Sequence, residues 1–503
     1  MSNTEFPCAY LEGMIDVCEG EDGQLVFLLL RDGQLVVEES IKVNGVVLVP
    51  PPPSKLPFTI PRLVEVLKYY EQDDMHLYDD LLAYLKRFSA LDDLQWSVVA
   101  HFVFLTYLHD HHDIDYCPYL LFYAVPERGK SRTGKSVACV AFRGMHIVEL
   151  REALIFRYSD NIRGTLFFDI MDISKKAEQG GCSDLLLYRA EKGAKSARVL
   201  HAERGPFHDT TYFDIYGPTI IASNEQVHKI LNTRCLPIDM PNLPGDYQNP
   251  RPELGLELKE RLTAWRARNL NINLPQFPQV SGISGRLWDI TKPMLQMNAL
   301  VNPQARDLLI TAILEISEKR TESKQDTTEG RLVAAIKELT EEKGCEDYLR
   351  WTIRTFEISN KYYEHRPDDK RFPVSWFGKK LASMSIKQRN VNGRSEMVFT
   401  AEEYERLLEQ YGFTGRGNGE GKAPSIVPLP EKEVEKQLVI EDVEEGRGKS
   451  GYDGSRRKFS CPEETEIYFE RLQIMMIDGG CSRQEAENGA WEAVLQWRED
   501  HAV

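Results

Sequence analysis

The feature that most constrains this chain is a continuous apolar run, Tyr119-Leu120-Leu121-Phe122-Tyr123-Ala124-Val125, followed by Gly129-Lys130-Ser131-Arg132-Thr133-Gly134-Lys135-Ser136. An uninterrupted apolar run reads as a strand buried on both faces, which needs helices on both sides of a parallel sheet. The second segment matches G-x-x-x-x-G-K-[ST] between that strand and a helical stretch, the context this motif requires. Its glycines let backbone N–H groups turn inward, and a helix N-terminus adds a positive dipole end, so the segment is expected to cradle phosphates. In this reading Gly129, Lys130, Ser131, Arg132, Thr133 and Gly134 form the loop, Lys135 reaches the β and γ phosphates, and Ser136 offers its hydroxyl to Mg²⁺. ATP with Mg²⁺ is the implied ligand.

Bulk properties narrow the setting. A chain of 503 residues can bury several cores. Its nine cysteines contain no C-x-x-C pair, which fits reduced thiols better than a disulfide framework or a zinc cluster. No run of eighteen apolar residues and no signal-like N-terminus occurs, so an intracellular, cytoplasmic protein without membrane contact is expected. The net charge of -16 argues against an indiscriminate nucleic-acid coat, although overall charge can conceal a local basic patch.

Along the chain, residues 1–53 read as a small β unit with turns at Asp32-Gly33 and Asn44-Gly45, and residues 54–115 as helices. Residues 116–245 alternate strand and helix signals as an α/β P-loop core with a mainly parallel sheet. Residues 246–320 read as a helical lid and 321–413 as a winged-helix-like unit. Residues 414–460 have the composition of a disordered linker, and 461–503 the pattern of a helical hairpin. The run His109-Asp110-His111-His112-Asp113 invites a metal proposal, but its position before the buried strand reads as a solvated turn.

Three further positions carry candidate chemistry. Leu166-Phe167-Phe168-Asp169 is an apolar strand ending in a carboxylate suited to the Mg²⁺ shell. Thr219 to Ser223 is another strand, and Asn224 after it either senses a γ-phosphate or caps the next helix. Arg234 precedes the strand Cys235-Leu236-Pro237-Ile238 and is either an arginine that neutralises charge on a neighbour's phosphate or a surface residue.

With these landmarks in order, the region from Asp93 to Met297 resembles the AAA+-like ATPase domains of phage and plasmid replication proteins, the helicase and primase-helicase group. The matching stretches are Val98 to Leu108, Pro118-Tyr119-Leu120, Gly193 to Leu200, Phe213 to Pro218 and Thr233 to Ile238. The resemblance implies Asp169 as the Walker B acid, Asn224 as sensor 1, Arg234 as an arginine finger and Arg286 as a sensor 2 candidate. It also implies a homo-oligomeric DNA helicase or helicase-like motor of a phage or mobile element, working with other replication proteins in a bacterial cell. Ile170 stands where the family usually places the Glu that polarises water, which keeps open a slow nucleotide switch or helicase loader. A DNA-binding regulator with a decayed ATPase core is the third reading.

The segment 371–394 holds six basic residues and no acidic one. A helix near 374–384 followed by a basic hairpin is the outline of a winged helix, and Lys379, Lys380, Lys387, Arg389 and Arg394 are its expected DNA contacts. The alternative is a packing domain with a solvated basic face.

Overall fold

The computed structural model describes residues 5–413 apart from 73, 201, 206–207, 226, 243–244, 346–347, 365–370 and 392. The expected linker at 414–460 and hairpin at 461–503 lie outside the described residues.

The N-terminal strands are β1 (Glu5–Pro7), β2 (Met14–Glu19), β3 (Leu25–Arg31), β4 (Gln34–Glu38), β5 (Ile41–Val43) and β6 (Val46–Val49). They form two three-stranded sheets, ordered β2-β3-β4 and β1-β6-β5. At Asp32-Gly33 both residues are left-handed, with φ of 50° and 77°, as the tight turn of a two-residue hairpin demands. Along β3, Leu25, Phe27 and Leu29 enter one cluster while Val26 and Leu28 enter another, so both faces of this strand are covered.

Helices α1 (Leu63–Tyr70), α2 (Leu77–Lys86) and α3 (Asp93–Leu108) follow. Asp92 and Gln95 cap α3 reciprocally. Every residue of α3 from Trp96 to Leu108 is buried, which makes it the central helix of the largest core.

The central sheet begins with β7 (Tyr119–Tyr123), followed by α4 (Lys130–Val140), β8 (Met145–Ile147), α5 (Glu152–Asn161), β9 (Leu166–Asp169), α6 (Ile173–Gln179) and α7 (Ser183–Tyr188). A hairpin, β10 (Lys195–Val199) and β11 (Thr210–Asp214), precedes β12 (Thr219–Ser223), α8 (Lys229–Asn232) and β13 (Cys235–Asp239). Five strands pair in the order β13-β7-β12-β9-β8, and every pairing is parallel. Alternate residues feed opposite cores: Leu120, Phe122, Ile220 and Leu236 on one face, Tyr119, Leu121, Ile221 and Cys235 on the other. The mixed α/β architecture with a parallel sheet is as expected.

Helices α9 (Pro252–Asn269), α10 (Gly285–Val301) and α11 (Arg306–Gln325) share the core of α1 to α4, so the expected helical region and lid are parts of one packed layer. The His109–Asp113 run lies at its joint and is not a solvated turn. His109 and His111 are buried, and Asp110 takes a two-pronged contact of 2.7 and 2.8 Å from the buried guanidinium of Arg266 on α9. Burial alone would raise the Asp110 carboxyl, but Arg266 outweighs it and holds the group well below the usual carboxylate range. The His111 ring lies 2.8 Å from the Ile272 carbonyl through Nε2, and its Nδ1 accepts the Asp113 N–H at 3.1 Å. Both ring nitrogens are thus engaged, leaving none for a metal.

The last described unit has its own core and comprises α12 (Thr328–Glu342), β14 (Arg350–Arg354), α13 (Thr355–Glu364), α14 (Val374–Ser383), β15 (Lys387–Val391), β16 (Arg394–Thr400) and α15 (Ala401–Tyr411). Its antiparallel sheet runs β14-β16-β15. Among the described residues no helix is long and apolar enough to cross a membrane.

Candidate functional site

The carboxyl ends of a parallel sheet are where ligands bind, in the crevice where strand connections diverge to opposite sides. That point is β7: the chain leaves it through α4 toward β8 at one edge, while β13 returns to its other side. Tyr123 pairs level with Ser223 and Asp239, and Asp169 pairs with Ala222, so the residues after β7, β9 and β12 emerge at one edge.

The loop between β7 and α4 contains two left-handed residues, Glu127 at φ 68° and Gly129 at φ 80°. Gly129 is the N-cap of α4, and the helix starts at Lys130. A loop turned in this way at a helix N-terminus is the backbone arrangement in which N–H groups converge on an anion. Lys130 reaches back across the loop, its Nζ donating to the Val125 carbonyl at 2.7 Å. Burial pushes its ammonium pKa down, and Asp169 opposes the shift. Ser131 Oγ donates to Asp169 Oδ1 at 2.8 Å. On the other side of this carboxylate, His146 of β8 places Nε2 3.5 Å from Oδ2 while its ring stacks on Phe167. The contact with His146, then the Ser131 hydroxyl, hold the Asp169 carboxyl below its ordinary value against the effect of burial. A hydroxyl and a carboxylate this close form a hard oxygen pair of the kind Mg²⁺ accepts.

The loop-to-helix junction therefore lies five residues earlier than the motif from Gly129 to Ser136 suggests. Thr133, Gly134, Lys135 and Ser136 all sit within α4. Thr133 Oγ1 donates to the Gly129 carbonyl at 3.0 Å, and the buried Ser136 hydroxyl donates to the Thr133 carbonyl at 2.8 Å. Gly134 packs against Phe167 with no room for a Cβ. Lys135 is exposed and lines a cleft of about 570 Å³ with Cys139, His146, Arg251 and Glu253. Arg132 lies 5.9 Å from the Tyr247 ring. The physical reason is that Gly-Lys-Ser occurs twice, at 129–131 and 134–136, and the helix begins at the first copy. The signal was present in the sequence: with Ala124 accepted in place of the first glycine, the same pattern runs from Ala124 to Ser131. His146, by contrast, had no sequence signal, since only strand pairing brings it to Asp169.

The other expected residues divide between the two ends of the sheet. Asn224, half-buried, follows β12, the strand between β7 and β9, and so shares the loop's edge. Ile170 is buried in the core beneath the sheet, and Asp172, left-handed at φ 53°, caps α6 by accepting the Lys175 N–H. Arg234 lies at the opposite end: its carbonyl accepts from the N–H of Tyr119, the first residue of β7. A five-residue strand, about 16 Å, separates it from the loop. The Arg234 side chain is largely buried, donates to the Ile230 carbonyl at 3.1 Å, and is depressed by burial and by the nearby charge of Arg286. The charge of Arg286, the sensor 2 candidate, thus acts on Arg234.

In the C-terminal unit the basic segment is less free than its composition suggests. Lys380 pairs with Glu329, Lys387 with Glu403 at 2.6 Å and Arg389 with Glu396 at 2.9 Å. Among the described residues Lys379 and Arg394 have no such partner, and both line a cleft of about 760 Å³ between α14 and the β15–β16 hairpin.

No family model and no curated protein matches this chain. Among solved structures, it is similar to the apo A form of the NrS-1 C-terminal region at 10% identity and a TM-score of 0.32, covering 77% of this chain and 97% of that one. It is also similar to the Cch active helicase of SCCmec type IV at 12% identity and a TM-score of 0.30, covering 78% of this chain and 79% of that one.

Proposed function

We propose that this chain is a replication ATPase of the helicase type, which binds ATP with Mg²⁺ at the β7–α4 loop and couples nucleotide state to DNA as a homo-oligomer. The observation that carries the reading is the Ser131–Asp169 contact at the N-terminus of α4. The phosphate loop runs from Ala124 to Ser131. Backbone N–H groups from Glu127 to Lys130 hold the phosphates, and Lys130 turns from the Val125 carbonyl to the β and γ oxygens. Ser131 and Asp169 would hold Mg²⁺, which would supply neutralisation of phosphate charge. Asn224 lies at the edge where a γ-phosphate ends, and Arg234 and Arg286, at the far end of the sheet, act on a neighbouring copy. The unit from α12 to α15 serves as a winged-helix-like DNA contact. The setting is the cytoplasm of a bacterium or phage-infected cell, with other replication proteins as partners.

A second reading, a slow nucleotide switch or helicase loader, is favoured by one observation: Ile170 follows Asp169 and faces the core, so no carboxylate adjoins the acid. The test is ATP affinity by calorimetry for Lys130→Ala, Ser131→Ala and Lys135→Ala. Loss of phosphate binding in the first, loss of Mg²⁺ dependence in the second and wild-type behaviour in the third are expected. The reverse pattern places the site at the second Gly-Lys-Ser. Steady-state turnover with and without single-stranded DNA then separates motor from switch.

A further inference from the structure

The cleft between α14 and the β15–β16 hairpin combines unneutralised cations with an aromatic ring that the fold does not cover. Lys379 on α14 and Arg394 at the start of β16 line it without a carboxylate partner among the described residues. Arg354 lines it too, and its contact with Glu396, at 3.9 Å, is shared with Arg389. Phe356, on the first turn of α13, opens into the same cleft and is 58% exposed. Gln388 and Ser395 add hydrogen-bonding groups, with Gln388 Nε2 donating to Ser395 Oγ at 2.5 Å. Gly378 forms part of the wall, where a Cβ would meet nothing closer than Gln388 Nε2 at 3.4 Å, so packing does not require its absence.

Leaving a phenyl ring largely in water forgoes burial energy, and here it sits beside cations that carry no internal counter-charge. Phosphate groups answer the cations, and a planar base answers the ring. In duplex DNA each base is covered on both faces by its neighbours, so a ring beside the backbone has nothing to stack on. In a single strand the bases are free to do so, and every base has a π-face. We propose that this cleft takes single-stranded DNA, with phosphates at Lys379 and Arg394 and a base stacked on Phe356. The inference rests on the reading of this unit as a DNA contact and assigns its strandedness and its aromatic anchor.

The experiment uses the full chain, a labelled oligothymidylate and a duplex of the same length, with anisotropy measured over a range of salt. Phe356→Ala is expected to weaken oligothymidylate binding roughly five- to a hundred-fold while leaving the salt slope and the duplex affinity unchanged. Phe356→Trp is expected to retain affinity, which guards against a folding defect. Reversal of both Lys379 and Arg394 to Glu should lower the slope of log affinity against log salt by roughly one to two. An oligothymidylate carrying 5-iodouracil should photocross-link to the peptide containing Phe356. Unchanged single-strand affinity in Phe356→Ala, or cross-links confined to other regions, overturns the proposal. If duplex binding responds to the charge reversal while Phe356→Ala is silent, only the single-strand assignment fails. If neither the reversal nor Phe356→Ala changes any binding, the reading of the unit as a DNA contact fails with it.

Discussion

Gly134 of α4 lies so close to the ring of Phe167 on β9 that a Cβ there would overlap it. This contact presses α4 onto the strand that ends in Asp169, and three residues earlier on the helix it brings Ser131 to that carboxylate. Gly134→Ala should therefore destabilise the protein by about 1–3 kcal/mol through overpacking, although alanine is the better helix former. Urea unfolding measures the change. A variant as stable as wild type or more so means that α4 and β9 are not in this contact.

Ile170→Glu would place a carboxylate directly after Asp169, but the side chain it replaces is 2% exposed within the core beneath the sheet. A carboxylate there loses its hydration without a partner. The expected result is a loss of roughly 2–5 kcal/mol in stability with no gain in turnover, read by thermal unfolding and phosphate release. Faster hydrolysis in a stable variant would show that residue 170 reaches the loop edge.

Arg234 and the loop of the same chain stand at opposite ends of β7. Arg234→Ala should bind ATP normally and turn it over slowly. Mixing it with Lys130→Ala should recover part of the activity, because one type of mixed interface joins an intact loop to an intact arginine. Titrating one inactive variant into the other at constant total protein is the measurement. No recovery at any ratio would refute action between subunits.

Acid should weaken the central core in a defined window. His101 and His109 are fully buried in or just after α3, and burial pushes both down to about 4 from an ordinary 6.5. Above pH 6.5 folded and unfolded chains bind the same protons at these groups. Below it the unfolded chain takes up protons that the fold refuses, so stability falls by about 1.4 kcal/mol per pH unit for each histidine and levels off near pH 4. Unfolding free energies at pH 7 and pH 5 should differ by roughly 3–4 kcal/mol from these two groups, and His101→Gln should reduce the difference. A pH-independent stability over this range would mean that the rings are accessible to water.

Much of this molecule was legible along the chain. Of the apolar run at 119–125, Tyr119 to Tyr123 became a strand covered on both faces, Leu166 to Asp169 became a neighbour but one, and the Asp-Gly and Asn-Gly turns folded as two-residue hairpins need. These are local matters, since hydrophobic period and turn chemistry act over a few residues. Between the two Gly-Lys-Ser copies the sequence was ambiguous, because both fit the same spacing once Ala124 stands for the first glycine. The choice fell to packing: Gly134 had to accommodate Phe167, so the second copy became helix interior and the first became the junction. The same holds for the His109–Asp113 run, whose charges read as a surface until Arg266, far along the chain, met Asp110 in the core. It holds too for the basic segment, where Glu329, Glu396 and Glu403 neutralise three of its cations. Pairing between distant residues is decided by which surfaces a compact chain brings together, and no window along the sequence contains that information.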